Sequence, residues 1–186
     1  MTEQTRGEPL QGRVVLVTGG SRGIGAAAAK RLAQSGAKVV INYHQNQEAA
    51  QKVLEKVEAD GGRGMIFQAD VTRNDQVAAM VAAIQEKWTA VDVLVNNAYF
   101  PFTVGQLHEL PWESFHQAVE HELSAFHNCV RACLPGMVAK KAGKIIVIST
   151  RLAQQPLPRM GAYAAAKSAL ESMADTMAIE LGPLGI

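Results

Sequence analysis

Five short apolar segments, separated by stretches long enough for a helix, constrain the fold of this 186-residue chain more than any other feature. They are rich in Val, Ile, Leu or Phe. Helix-length connections between strands require parallel crossovers, which are right-handed almost without exception. The sequence therefore predicts an α/β fold, a doubly wound parallel sheet with helices on both faces. The predicted strands are residues 13–18, 37–42, 64–69, 91–96 and 144–149.

Two of the connections have the periodicity of amphipathic helices. Residues 47–60 place apolar side chains on one face, and Asn46 stands in the N-cap position. Residues 73–88 repeat the pattern after Thr72. Both segments therefore predict helices that pack against the sheet.

Composition limits the class of protein. The chain has 48% hydrophobic residues, enough for one domain with a substantial core but not for two. Its net charge of +1 offers no field for nucleic acid or an anionic membrane surface. The N-terminus lacks the apolar region of a signal peptide, and no apolar run reaches the length of a membrane span. We therefore expect a cytoplasmic protein in which Cys129 and Cys133, one helical turn apart, are buried free thiols.

Glycines dominate the turn between the first predicted strand and the first helix. Glycine allows positive φ and close approach to a ligand, and the first amides of a helix have no partner within it. Their partial positive charge suits a phosphate group. The sequence therefore predicts a phosphate-binding turn here. It reads Thr18-Gly19-Gly20-Ser21-Arg22-Gly23-Ile24-Gly25.

The residues after the second predicted strand bear on the choice of cofactor. No Asp or Glu stands where an acidic group would bind the ribose hydroxyls of NAD. Arg22 instead offers a cation for a ribose phosphate, which favours NADP over NAD. The alternative is that Arg22 lies in solvent and the polar segment is an ordinary turn. That segment reads Asn42-Tyr43-His44-Gln45-Asn46.

A tyrosine and a lysine four residues apart indicate proton chemistry. Tyr163 and Lys167 lie at the start of a predicted helix, where positions i and i+4 share a face. The ammonium favours the phenolate form, which makes Tyr163 a proton donor or acceptor near neutral pH. Thr150, at the end of the preceding strand, offers a hydroxyl to orient a substrate oxygen. Chance placement would also give such a pair, but it explains the joint pattern poorly.

Taken in order, these motifs resemble those of the short-chain dehydrogenase/reductase family, from about residue 11 to the end. The resemblance implies a single Rossmann-like NAD(P)-binding domain over residues 1–186, with residues 1–11 as a tail. It also implies an NADP(H)-dependent oxidoreductase similar to 3-oxoacyl-carrier-protein reductases, and a homotetramer or homodimer. The motifs are Thr18-Gly19-x-x-x-Gly23-x-Gly25, Asp70-Val71, Asn96-Asn97-Ala98, Ser149-Thr150 and Tyr163-x-x-x-Lys167.

The resemblance also implies roles for individual residues. Tyr163 is the general acid/base, Lys167 activates it and holds the nicotinamide ribose, and Thr150 takes the place of the substrate-orienting serine. Asp70 and Val71 contact the adenine, and Asn97 and Ala98 the ribose side. The predicted cofactor-binding residues are Gly19, Ser21, Arg22, Gly23, Ile24, Gly25, Tyr43, His44, Asp70, Val71, Asn97, Ala98, Tyr163 and Lys167.

Three departures from the family pattern predict reduced rather than lost activity. Tyr99 replaces a glycine beside the nicotinamide, and Thr150 adds a methyl group to the serine position. Glu122 falls where the family has a catalytic asparagine. This carboxylate has three possible roles: it joins a proton relay through Lys167, it pairs with Lys167 and withdraws it from catalysis, or it is a solvated helix residue.

The sequence excludes one type of metal site and leaves a non-enzymatic function open. His121-Glu122 lacks a second histidine four residues on, where Ala125 stands, so a zincin site is rejected and no metal is expected. The alternative to an enzyme is a dinucleotide-binding protein with weak or no catalysis that acts as a regulatory or structural partner. The family pattern predicts further strands after Ile186, so the sequence is expected to be part of a longer protein.

Overall fold

The computed structural model describes residues 9–186 as a parallel five-stranded sheet with helices on both faces. The strand order is β3-β2-β1-β4-β5, and every neighbouring pair is parallel. This confirms the predicted fold class. The strands are β1 (Val14–Val17), β2 (Lys38–Tyr43), β3 (Arg63–Gln68), β4 (Val93–Asn96) and β5 (Lys144–Val147).

The helices occupy the connections between the strands. In the described part of the chain, two 3₁₀ helices, Arg151–Ala153 and Gly182–Leu184, accompany them. No helix in that part combines the length and the apolar character needed to cross a membrane. The α-helices are α1 (Gly23–Gln34), α2 (Gln47–Ala59), α3 (Asn74–Lys87), α4 (Trp112–Lys140) and α5 (Gly161–Leu181).

Two apolar clusters hold the layers together, one on each face of the sheet. Helices α1 and α2 pack against one face, where Val15, Val17 and Ile41 are buried. Helices α3 and α4 pack against the other, around Leu16 and Phe126. Alternate residues of β1 therefore serve opposite layers, as the period of two in a strand requires.

The described structure confirms one predicted helix cap and shifts the start of another helix. Asn46 caps α2 by accepting the Ala49 N–H at 2.8 Å, as predicted. Helix α3 begins one residue later than predicted, with Arg73 at the N-cap, because the Thr72 hydroxyl donates to Asp70 instead. Of the predicted tail, residues 1–8 lie outside the described residues, whereas the Leu10 N–H donates to the Ser35 carbonyl at 3.0 Å.

Asp92 ties β4 to β1 at the end of the sheet opposite the glycine turn. Its buried carboxylate accepts the Val14 N–H at 2.8 Å and hydrogen bonds from Lys140 at 2.9 Å and Arg13 at 3.3 Å. Burial alone would raise the pKa of Asp92, but these three donors outweigh burial and lower it. The ionised carboxylate therefore stabilises the fold.

We expect Asp92→Asn to lower the free energy of unfolding by about 2 kcal/mol at pH 7, as for other hydrogen bonds to a charged group. The stabilisation by ionised Asp92 is present above the ordinary pKa of 3.8 and is lost as pH falls through the lowered folded value. The deficit of the variant should therefore shrink in acid. Urea denaturation over a pH series measures it, and Asp60→Asn, at an exposed carboxylate, is the control. Equal losses in both variants would contradict the role of Asp92.

Candidate active site

The turn after β1 has the backbone that a phosphate cradle requires. Gly19 and Gly23 have positive φ, 59° and 55°, a region that favours glycine. A Cβ on Gly25 would lie 2.4 Å from the Asn97 side-chain nitrogen. A side chain is therefore disfavoured at all three positions, which keeps the backbone of the turn open to a ligand.

Thr18 and Asn97 lock this turn to the end of β4. The Thr18 hydroxyl accepts the N–H groups of Asn97 at 2.9 Å and Ala98 at 3.0 Å. In return, the Asn97 side-chain amide donates to the carbonyls of Thr18 at 2.9 Å and Gly19 at 3.1 Å. Asn97 and Ala98 therefore lie beside the turn, while their predicted contact with the ribose stays a prediction.

The first turn of α1 presents its amides without a side-chain cap. Arg22 is the N-cap residue and is exposed, with an extended backbone. Ser21 is half-buried, and Ile24 is exposed although it is apolar. Free amides, an adjacent guanidinium and an apolar side chain fit the phosphates and the flat rings of a dinucleotide.

Tyr43 and His44, the two cofactor-binding residues predicted at the end of β2, lie in different environments. Tyr43 is buried in the apolar cluster under α2, so its ring is part of the core. His44 is exposed, and its Nε2 lies 4.0 Å from the Asp70 carboxylate. Burial raises the pKa of Asp70, but hydrogen bonds from Thr72 and the nearby His44 and His121 lower it below its usual range.

Two asparagines that sequence reasoning did not single out as site residues organise this edge. Buried Asn42 accepts the Gly19 N–H at 3.2 Å and donates to the Ala69 carbonyl at 3.0 Å, which joins β1, β2 and the end of β3. Asn128 of α4 donates to the carbonyls of Val71 and Thr72, at 3.3 and 3.0 Å. The sequence does contain a signal for Asn128: it is a polar residue among the apolar residues on the buried face of α4. Val71 itself is buried in the core.

The predicted catalytic lysine is held by a buried ion pair. Lys167 Nζ donates to Glu122 Oε1 at 2.7 Å and to the Ile148 carbonyl at 3.0 Å. Glu122 and Lys167 are only 4% and 5% exposed, so the reading of Glu122 as a solvated helix residue is wrong. An ammonium has three donors, so one remains for another acceptor. Burial raises the pKa of Glu122, and the charge of Lys167 only partly opposes this.

The end of β5 lies against α5 at the same place. The Ser149 hydroxyl donates to Glu171 at 2.5 Å, a contact that the sequence did not suggest. Thr150 caps the 3₁₀ helix by accepting the Leu152 N–H at 3.3 Å. The proton of the Thr150 hydroxyl is therefore available to a substrate oxygen.

The loop between β4 and α4 covers Tyr163. The ring of Phe102 stacks on that of Tyr163, with centroids 4.7 Å apart and planes inclined by 17°. Tyr99, which is 59% exposed, meets Phe102 edge-on at 6.4 Å. Tyr99, the bulky residue at the position where the family has a glycine, is therefore largely exposed and packs against Phe102.

The remaining titratable groups do not assemble a further site. In residues 9–186, no three His, Cys, Asp or Glu side chains come together as metal ligands would. Cys129 and Cys133 are buried free thiols, as expected, and burial raises the pKa of Cys133 to about 12. His108, His116 and His127 are scattered along the sequence.

Comparison with known proteins identifies the family. Residues 13–186 match the profile described as short chain dehydrogenase. The chain belongs to this family. A 3-oxoacyl-[acyl-carrier-protein] reductase from Synechocystis sp. is 35% identical over 177 residues, covering 95% of this chain and 71% of the relative. An uncharacterized oxidoreductase of Escherichia coli, YgfF, is 34% identical over 93% of this chain and 72% of its own length.

Solved structures of short-chain dehydrogenases share the fold. NAD⁺-bound xylitol dehydrogenase superposes with a TM-score of 0.90 at 26% identity, over 96% of this chain and 68% of that one. A metagenomic short-chain oxidoreductase in complex with NADP superposes with a TM-score of 0.87 at 34% identity, over 94% of this chain and 79% of that one. The chain is therefore an NAD(P)-dependent oxidoreductase that acts on alcohol or carbonyl groups.

Proposed function

We propose that the protein is an NADP(H)-dependent reductase of carbonyl compounds, with 3-oxoacyl thioesters as the substrate class. The observation that carries the proposal is the placement of Lys167. It is fixed by Glu122 and by the carbonyl of Ile148, two residues before Thr150, and it lies one helical turn after Tyr163. This group lies at the carboxyl end of the sheet, where the glycine turn also lies and where ligands of such folds bind.

Each residue of the group has a defined chemical task in the proposal. Thr150 donates a hydrogen bond to the carbonyl oxygen and orients it. Tyr163 transfers its phenolic proton to that oxygen, and Lys167 stabilises the resulting phenolate. When bound, NADPH supplies the hydride that reduces the carbonyl carbon. The free donor of Lys167 binds the ribose.

Glu122 positions Lys167. Its carboxylate fixes the ammonium by a direct hydrogen bond of 2.7 Å. Both groups are buried, so the ammonium is held in one place at the edge of the site. Burial raises the pKa of Glu122, and the charge of Lys167 opposes this. The task of Glu122 in the proposal is therefore to hold Lys167 in place.

The glycine turn would hold the phosphates of the cofactor. Gly19, Gly23 and Gly25 leave room for a pyrophosphate, and the exposed guanidinium of Arg22 would bind the additional phosphate of NADP. NADP in one structural relative supports this proposal, and NAD⁺ in another keeps NAD as the alternative cofactor.

We expect Arg22→Ala to weaken NADPH binding about 10- to 100-fold, the cost of losing a hydrogen-bonded charge pair. NADH, which lacks that phosphate, should bind almost as before. Arg31→Ala removes an equivalent charge from the far end of α1 and is the matched control. Titration of NADPH and NADH fluorescence measures both affinities. Equal losses for the two nucleotides would contradict the role of Arg22.

The name of the Synechocystis relative supports 3-oxoacyl thioesters as substrates. The test follows NADPH absorbance with a series of ketones and 3-oxoacyl thioesters. We expect turnover, with thioesters consumed more efficiently than simple ketones. Turnover of ketones alone would correct the substrate class, and NADPH binding without any turnover would contradict the proposed activity.

The proposal also includes a cytoplasmic location and self-association as a homodimer or homotetramer. Exposed apolar residues on the two longest helices support association, namely Trp112 of α4 and Ile179 of α5. Light scattering after size-exclusion chromatography measures the oligomeric state.

A second candidate function is a dinucleotide-binding protein with weak catalysis. The direct pairing of Glu122 with Lys167 favours it, because the carboxylate competes for the ammonium that Tyr163 needs. Glu122→Asn separates the two candidates, since it restores the family residue. A large gain in turnover would favour the second candidate, and a loss would favour the first.

A further inference from the structure

The ring of Phe102 covers one face of Tyr163. The two rings are nearly parallel, at 17°, with centroids 4.7 Å apart. Tyr99 then meets Phe102 edge-on, at 6.4 Å and 72°. Both Phe102 and Tyr99 belong to the loop between β4 and α4, so a single loop places Phe102 on one face of the phenol and Tyr99 beside Phe102.

Independent contacts fix this loop against the start of α5. The Gly105 N–H donates to the Arg159 carbonyl at 3.1 Å. Leu107 lies over Gly161, where an added Cβ would come within 3.0 Å of its side chain. Phe102 lies between β4 and these anchors, so its stacking on Tyr163 does not depend on a freely moving segment.

Because Phe102 covers one face of Tyr163, the carbonyl group that Tyr163 protonates would lie beside an aromatic surface. A group attached to a carbonyl carbon within reach of the Tyr163 oxygen would meet the ring of Phe102 first and that of Tyr99 beyond it. Aromatic pairs in an offset-stacked or edge-to-face arrangement are more stable than the apolar area that they bury accounts for. A flat ring on the substrate is therefore the group that this surface recognises best.

We propose that Phe102 and Tyr99 form an aromatic wall that selects carbonyl substrates with an aryl group next to the reacting carbon. This inference rests on the proposed carbonyl reduction and deepens it, because it names a substrate class that the site accepts. It is distinct from the packing role of the loop, which Leu107 and Gly105 already provide.

The test compares acetophenone with cyclohexyl methyl ketone, which share the carbon skeleton and differ only in the aromatic ring. Phe102→Leu keeps an apolar side chain but removes the ring. We expect the ratio of kcat/KM for acetophenone to that for cyclohexyl methyl ketone to fall about fivefold, mainly through KM, as the loss of an aromatic pair predicts. Tyr99→Leu should lower the same ratio by a smaller factor, and it serves as the second variant if Phe102→Leu does not fold.

Trp112→Leu is the matched control, because Trp112 stacks on Phe115 and not on Tyr163. It should leave the ratio unchanged. A Phe102→Leu or Tyr99→Leu variant that binds NADPH and retains the wild-type ratio overturns the aromatic wall, as does a ratio that falls equally in the Trp112 control. Wild-type protein that binds NADPH and reduces neither ketone nor any thioester overturns the proposed function itself, and the wall with it.

Discussion

Replacing Tyr163 by Phe is expected to lower kcat for carbonyl reduction by a factor of about 10² to 10⁴, the usual contribution of a general acid. The substitution removes only the hydroxyl. The ring that stacks on Phe102 at 4.7 Å is kept, so the loop should stay in place. NADPH affinity should change little, because the glycine turn and Arg22 are untouched. Steady-state kinetics and NADPH fluorescence titration measure the two quantities separately.

The matched control for Tyr163→Phe is Thr176→Val, which removes an exposed hydroxyl from the same helix. It should leave kcat unchanged. Full turnover by Tyr163→Phe would exclude Tyr163 as the proton donor. A parallel loss in both variants would point instead to a general defect of α5.

Replacing Lys167 by Met is expected to affect stability as well as activity. Removing one partner of a buried ion pair leaves an uncompensated charge, which costs about 3–5 kcal/mol. Glu122 would remain as a buried carboxylate without its ammonium. Urea denaturation at pH 7 should show this loss, and turnover should fall together with it because the phenolate loses its cation.

The loss of stability in Lys167→Met should depend on pH. Burial already raises the pKa of Glu122 above 4.5, and removing Lys167 takes away the opposing charge. A carboxyl with a raised folded pKa stabilises the fold fully below its unfolded pKa, and this stabilisation is lost as pH rises. The variant should therefore be nearest to wild type at and below about pH 4.5, the ordinary pKa of this carboxyl, and fall further behind as pH rises above it.

Two further variants test this explanation. Lys52→Met breaks the exposed i,i+4 pair with Glu48, and should change stability by less than about 0.5 kcal/mol. The double variant Lys167→Met/Glu122→Leu removes both charges and should recover most of the lost stability, but not the activity. A single variant as stable as wild type, or a double variant no better than the single one, would contradict the buried pair.

The fold was predictable because buried strands are short and apolar, and because the helices that cover them have apolar residues on one face. Apolar segments located each of the five described strands to within about two residues, as expected of such patterns. The errors lie where burial and strand pairing differ. Val91 is buried but precedes the paired residues of β4. Ile148 follows the last paired residue of β5; its N–H still donates to the Asn96 carbonyl, but its own carbonyl accepts from Lys167.

The candidate site was only partly predictable. The spacing of Tyr163 and Lys167 alone places them on one face of a helix, and the glycines between β1 and α1 predicted the turn. The pairing of Glu122 with Lys167 joins α4 to α5 across 45 residues, which local pattern cannot decide. The stacking of Phe102 depends on the path of an irregular loop, for which the sequence has no periodic signal.

The proposed reaction transfers a hydride from the nicotinamide of NADPH to the carbon of a carbonyl group. It can be followed by reducing a 3-oxoacyl thioester with NADPH that is deuterated at both C4 positions of the nicotinamide. We expect an alcohol with one deuterium on the former carbonyl carbon, detected by mass spectrometry. Bound NADPH with no alcohol formed from any ketone or thioester, or an alcohol free of deuterium, would contradict it.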